Sequence, residues 1–400
     1  MDLFGLENSQ EFAVSWWPKI TDPIQAISPI WNTTRFFGTH VYRFQPATER
    51  PTLLELSLLV AITIMRIYMM YIIFVTDAWD LIFVSSSQLV EKGLDIVLKL
   101  PFVMMLFAPW LFLIRKPLFS HISRDAVIFD TLMARYNYPP NYQFFHMLST
   151  ILTMAAISIP VFSLAFIRGF EFWMDHFIVL TFVGFSWAGG LLLNTMCNVL
   201  LLHVLFRLEV INDLLRKNFI SNCVQHNTSY ARQLIKTVMR MHDKLSDISS
   251  DCSKCFAITV RENENCAVVI TMLHVLASQL ITTFAFIRVL FYRYDARELK
   301  DCIFYTIGTT SYCLLPIFTI WIAGHIKKRN IITWKLVHRI INTTDVIEVE
   351  DLLQQFSEQM NHRIPSVDFR FFDVDWPLLV KACSEACTYL IIMIQFETKQ

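Results

Sequence analysis

The chain has 400 residues, of which 54% are hydrophobic and 17% charged, where ordinary soluble domains carry about 25% charged residues; with a mean hydropathy of +0.45 this is a membrane protein. The formal net charge is zero, which leaves no basis for a nucleic-acid partner, and nine glycines leave no room for a Gly-rich phosphate loop. There is no zinc-protease or nucleophile-elbow motif, no convergent set of acids and bases and no inverted repeat, so neither an enzyme, a cofactor nor a transporter is expected.

Residues 1–52 are mixed and aromatic-rich, with Trp16, Trp17 and Trp31 among them. They read as a cytosolic segment with short helices lying against the membrane or the core. The opening Met1-Asp2-Leu3-Phe4 lacks the basic and then apolar regions of a cleaved signal, so the first membrane helix is expected to drive insertion. Residues 53–325 hold six predicted spans, at 53–75, 93–114, 147–167, 177–206, 267–292 and 303–325. Arg66 falls mid-span and needs a partner, for which Asp95 is the candidate. Pro160 is expected to interrupt the third span. His203, in the fourth, is expected to be buried and hydrogen-bonded.

Apolar residues continue at helical spacing beyond the bilayer. Val210, Ile211, Leu214 and Leu215 extend the fourth span, and Leu234, Ile235, Val238 and Leu245 resume the pattern. Residues 326–375 do the same through Ile331, Trp334 and Ile340, and Asp345-Val346-Ile347-Glu348 reads as a capping box opening a helix to about Met360. Each such helix has one apolar stripe that it cannot bury alone, so a cytosolic anchor bundle is expected. Cys252-x-x-Cys255 has no suitably spaced histidine, so a zinc site is not expected, nor is a disulfide framework among the nine scattered cysteines.

Loop charge orients the chain. Lys and Arg number 24 in the N-terminal segment and the loops on its side, and 6 in the others. Basic residues favour the cytosol, so the N-terminus is expected inside and, after seven spans, the C-terminus outside. A G-protein-coupled receptor has the reverse orientation. The sequons at Asn32, Asn227 and Asn342 fall on the inner side and should carry no sugar.

The last helix, in residues 376–400, opens at Trp376 with Asp375 as N-cap and Pro377 in the first turn, and runs to Phe396. Lys381, Glu385, Thr388, Ile392 and Gln395 share one of its faces. Four of the five are polar, so the face wants water or protein rather than lipid. A polar stripe closed by a lone apolar residue can gate a pore by dewetting. Copies around an axis would form an apolar ring at Ile392 and a polar ring at Gln395. Glu397 would add an acidic, cation-attracting mouth. Lys381 and Glu385 either pair locally or line an inner vestibule, and Tyr389 is expected to pack on another helix.

These residues carry a resemblance. Thr388-Tyr389, five hydrophobic residues and Gln395-Phe396 resemble the C-terminal signature of insect gustatory receptors. Phe371-Phe372-Asp373-Val374-Asp375, with Leu378-Leu379, is similar to the family's loop into that helix. The resemblance implies an all-α membrane protein of seven transmembrane helices in the orientation given above, and a homotetramer with a central pore. It implies a gate at Ile392 and Gln395, permeant cations, a small-molecule tastant, and the plasma membrane of a sensory neuron, with other gustatory receptors as possible partners. Sugar receptors of the family are similar in carrying an acidic residue after Thr-Tyr. Leu390 stands there in this chain, which turns the expectation toward bitter or aversive compounds and leaves sugars open. The alternatives are an odorant receptor of the same superfamily and a receptor signalling through G proteins.

A ligand pocket should be apolar and aromatic with a few polar groups. The outer halves of spans two to six supply Trp187, Ser186, Thr181, Tyr305, Thr309 and Tyr312 as its candidates, with Ser163, Trp173, Gln279 and Arg288 nearby. For any one of these residues ordinary helix packing is the better reading, while for the group a pocket is an equally good one.

Overall fold

The computed structural model describes residues 16–42, 51–75, 88–138, 140–168, 174, 176–221, 228–255, 267–291, 296–365, 368–369, 372–373 and 376–397. The side chains at 93–98, 161–168 and 267–276, and those of Tyr305, Tyr312 and Glu397, lie outside the description, as do Trp173, Asn227 and Asp375.

In chain order the described helices are α1 Pro23–Phe36, α2 Leu53–Val75, α3 Gln88–Ile114, α4 Lys116–Ala134, α5 Tyr142–Arg168 and α6 Phe177–Leu215. A π-helical turn, Arg216–Ser221, ends α6. Then come α7 Thr228–Cys255, α8 Ala267–Phe291, α9 Ala296–Ile341, α10 Ile347–His362 and α11 Trp376–Glu397. A two-residue antiparallel pairing of Asp368–Phe369 with Phe372–Asp373 precedes α11 and is the one departure from an all-α chain among the described residues.

Helices occupy all seven predicted spans. Over the described residues, four of them are long and apolar enough to cross a membrane: Leu53–Phe74, Tyr142–Pro160, Phe177–Ile220 and Trp376–Gln395. Phe102–Ile114 and Lys116–Ala134, bent by 62°, would together make a fifth. Two expectations are corrected. Pro160 does not interrupt α5, which continues through it to Arg168. Asp345 does not cap α10; Val346 is the N-cap, with no side-chain bond. A reciprocal capping box does exist at α2, where Thr52 N–H donates to Glu55 Oε2 (2.9 Å) and Glu55 N–H to Thr52 Oγ1 (3.3 Å). Asp22 caps α1 by accepting from Ile24 N–H at 2.9 Å, with Pro23 following.

The extensions pack into a bundle within the chain. α6 stands at its centre and is buried on every side from Thr195 to Ile211, as expected of a helix apolar all round. α7 packs against α4, α6 and α10, while α1 packs against α5 and α6. Trp31, Phe119, Leu205, Val238, Leu245, Val337 and Phe356 belong to one continuous core. α4 was not foreseen as a helix. It is two-sided, burying Phe119, Ile122, Phe129 and Met133 and also two carboxylates.

Those charges are paired. Arg207 holds Asp130 with two bonds (2.9 and 2.8 Å), and Tyr142 Oη donates to the same carboxylate at 2.9 Å. Lys116, 1% exposed, meets Glu55 at 2.7 Å, and Arg329 meets Glu209 at 2.8 Å. Burying such charges is tolerable only because each has its partner. Arg66 is different. Its Nη2 donates to the Phe37 carbonyl, a backbone oxygen just past the C-terminus of α1, at 2.8 Å. The Asp95 side chain lies outside the description. Gly38 follows with φ +68°, a left-handed conformation that glycine adopts without strain.

Candidate functional site

α11 has two chemically different faces. Lys381, Glu385, Thr388, Ile392 and Gln395 are all exposed, as their spacing predicts, and Ile392 is 40% exposed. No residue from Trp376 to Gln395 is buried within the chain. The Thr388 hydroxyl donates to the Ser384 carbonyl at 3.1 Å, so it is satisfied along the helix. Tyr389 was expected to pack on another helix but is 58% exposed. α11 reaches Glu397, whose side chain is outside the description.

On the opposite side Leu390, Met393 and Ile394 pack into a second apolar core, separate from the bundle. Its buried residues come from α2 (Ile73), α3 (Val90, Phe102), α6 (Leu180, Val183, Trp187), α8 (Phe284, Ala285, Val289) and α9 (Cys302). Trp187, singled out from the sequence, is 7% exposed within it. The last helix therefore touches the same cluster that holds the main pocket candidate. The three residues that make this contact were legible as the apolar side opposite the stripe, at spacings of three and one.

Among the described residues, the polar groups beside this cluster include hydroxyls, an amide and the buried Arg288 on α8. Thr309 Oγ1 and Thr282 Oγ1 stand 3.1 Å apart, across α9 and α8. Gln279 lies one turn from Thr282, and its Oε1 accepts from Cys313 Sγ at 3.8 Å. Thr282, which the sequence reading passed over, is thus the partner of a predicted residue. Ser186 is buried, whereas Thr181 is exposed. Tyr305 and Tyr312 sit on α9, with side chains outside the description.

A cavity of about 20 Å³ lies elsewhere, in the inner bundle, lined by Pro23, Ile27, Ser123, Leu200, His203, Arg207 and Cys252 among others. None of the predicted ligand residues lines it. It has room for one water. His203 is buried there, but its Nε2 has no partner, contrary to the expectation of a hydrogen-bonded ring. Burial pushes the Cys252 thiol up to about 12, so it is a poor metal ligand. Among the described residues, no three His, Cys, Asp or Glu side chains are placed to hold a metal.

Comparisons with known proteins agree with this architecture. A family model described as 7tm chemosensory receptor matches residues 27–400. A search of curated proteins finds no match. Among solved structures, the insect olfactory receptor OR5 from Machilis hrabei, determined in complex with eugenol, has a similar fold. The TM-score is 0.50 at 13% identity, covering 92% of this chain and 97% of that one.

Proposed function

The chain belongs to the 7tm chemosensory receptor family, and we propose that it is a gustatory receptor working as a ligand-gated, weakly selective cation channel. The observation that supports this most is the division of α11: a polar stripe interrupted by Ile392 and left uncovered by its own chain, backed by residues seated in the Trp187 cluster. A helix carrying exposed Lys381, Glu385 and Gln395 at membrane depth needs water or other subunits around it. Four copies arranged with these stripes inward provide both.

In the closed state the Ile392 side chains form the constriction and exclude water. Gln395 forms the polar ring outward of it, Thr388 and Glu385 line the inner approach, and Glu397 concentrates cations at the outer mouth. The N-terminus is cytosolic and the C-terminus extracellular. A small tastant enters from outside and binds among Trp187, Ser186, Thr309, Tyr305 and Tyr312, with Thr181 toward the rim. It opens the pore only if it binds the open arrangement more tightly than the closed one. Leu390, Met393 and Ile394 are the levers, since repacking the cluster moves the helix that carries the gate. A bitter or aversive compound is favoured over a sugar, because Leu390 follows Thr388-Tyr389 where family sugar receptors resemble one another in having an acid.

The test is current from cells expressing this chain alone, challenged with alkaloids, sugars and volatile phenols including eugenol, the ligand of the similarly folded olfactory receptor. Alkaloid-evoked cation current in excised patches without nucleotides is the expected result. A response to eugenol alone would replace the taste reading with an odorant one. Signals that require guanine nucleotides would replace the channel.

A further inference from the structure

α6 and α9 run side by side in the same direction, joined by two buried polar layers and by the Glu209–Arg329 ion pair. In the outer layer Asn198 Nδ2 donates to the Leu315 carbonyl (3.3 Å), and Thr319 Oγ1 donates to Asn198 Oδ1 (2.7 Å). The inner layer repeats this bond for bond. Asn212 Nδ2 donates to the Arg329 carbonyl (3.2 Å), and Thr333 Oγ1 donates to Asn212 Oδ1 (2.7 Å). The layers stand 14 residues apart on both helices, which is two heptads. The heptad position halfway between them holds Leu205 on α6 and Ile326 on α9, both buried.

Without the asparagines the seam would be Leu, Ile and Val apart from two threonines bonded to their own helix and the Glu209–Arg329 ion pair (2.8 Å). Only that ion pair would then resist a slip of one heptad, because elsewhere apolar side chains would meet apolar side chains again. With them, a slip sets Asn198 against Ile326 and strips its amide of partners in a water-free seam. Polar groups at such positions are known to select register at some cost in stability. In each layer all three polar atoms are satisfied in only one alignment.

That alignment has a consequence at the outer end. Trp187 lies 11 residues before Asn198, and Thr309 lies 10 before Thr319. The two therefore stand level on neighbouring helices, one in the cluster and one beside it. We propose that Asn198–Thr319 and Asn212–Thr333 are register locks. They join α6 and α9 into one strut, hold Trp187 and Thr309 level, and leave ligand-driven motion to α11. The locks are positioning residues and touch no ligand. The clause about motion rests on the channel reading above; the register does not.

Asn→Leu keeps the side-chain volume and leaves the threonines satisfied, since Thr319 and Thr333 also lie 3.0 and 3.1 Å from the carbonyls of Leu315 and Arg329. Spin labels at Thr181→Cys and Ile303→Cys, both exposed and near the outer ends of α6 and α9, report the register in the full chain in lipid nanodiscs, with other reactive thiols replaced by Ser. The unmodified asparagines, and N198L or N212L alone, should give one narrow distance distribution. E209L/R329M removes the ion pair whole and by itself should keep one narrow distribution. N198L/N212L on that background should add a second population, from an axial displacement of about 10 Å, seven residues of helical rise. A single narrow distribution in the combined variant would overturn the lock. If that variant does not reach the membrane, N198M/N212M on the same background carries the same measurement with the same two outcomes. Quinine- and sucrose-evoked currents are recorded in parallel. Absence of current from the unmodified chain would count against the channel, while the label distances still decide the register.

Discussion

The helical bundle around α6 and the seat of the last helix are built on opposite terms. In the bundle, α6 is wrapped on all sides, buried charges such as Asp130, Lys116, Asp125 and Glu209 are matched at 2.7–3.1 Å by partners on other helices, and one core runs through α1, α4, α7, α9 and α10. By contrast, α11 rests on a small apolar cluster through Leu390, Met393 and Ile394, touches the bundle core through Leu378 and Leu379, and buries no residue from Trp376 to Gln395. Dense packing stores stability and resists small displacements. A lightly held helix is the element whose position a ligand can shift at low cost. In the proposed channel, the difference assigns anchoring to one region and movement to the other.

Substitutions can break this contrast or sharpen it. The largest effect is expected at Ile392→Ala, which widens and wets the constriction. Sustained current without any ligand should appear in whole-cell recording; a variant that stays shut and responds normally would remove Ile392 from the gate. Next is Asp130→Ala in the bundle, which leaves the Arg207 guanidinium buried without its carboxylate. Loss of one partner of a buried pair costs about 3–5 kcal/mol. It should appear as a large fall in melting temperature and surface abundance.

A smaller effect is expected at Thr309→Val, which deletes one hydroxyl of the Thr282 pair beside the Trp187 cluster. A neutral hydrogen bond contributes about 0.5–1.5 kcal/mol, so the half-maximal ligand concentration should move about tenfold at most, with little change in melting. An unchanged dose response together with a lowered melting temperature would make this pair a packing element only.

A last effect is a pH dependence of the bundle, spread over a titration range rather than set by one substitution. Burial, and then Arg35, lowers His40 from 6.5 to about 3, and burial lowers His242 as well. Both rings are neutral in the fold and protonate more readily in the unfolded chain. The unfolded state therefore binds more protons below pH 6.5, and stability falls as the pH drops from there toward about 3. Melting curves at neutral and mildly acidic pH should show this decline, and His40→Gln should make it shallower.

Much of the fold was legible because apolar length and periodicity are local properties. α2 matches its predicted span end to end, and the stripe on α11 is exposed as its spacing requires. α4 was missed because its two buried faces include Asp125, Asp130 and Lys116, so no clean stripe marks it. Its charges are intelligible only beside Lys244, Arg207 and Glu55, which lie far off in the chain. The Phe37 carbonyl that Arg66 bonds was illegible for the same reason, since a backbone carbonyl leaves no trace in composition. Of the candidate site, Trp187 and Thr309 were visible as residue types, but Thr282 and the lever residues of α11 became meaningful only through contact.

By itself the sequence determined that this chain enters a membrane as long apolar helices, that basic residues gather on one side, and that the last helix is polar along one edge. Those are sums and periods over neighbouring residues, and they need no knowledge of what lies opposite. Only the tertiary structure decided which buried charge meets which, that α6 and α9 are keyed through two Asn–Thr layers, and that the back of the last helix rests on the cluster around Trp187. Such facts are pairings between distant segments, and a pairing energy exists only once the fold has brought both members together.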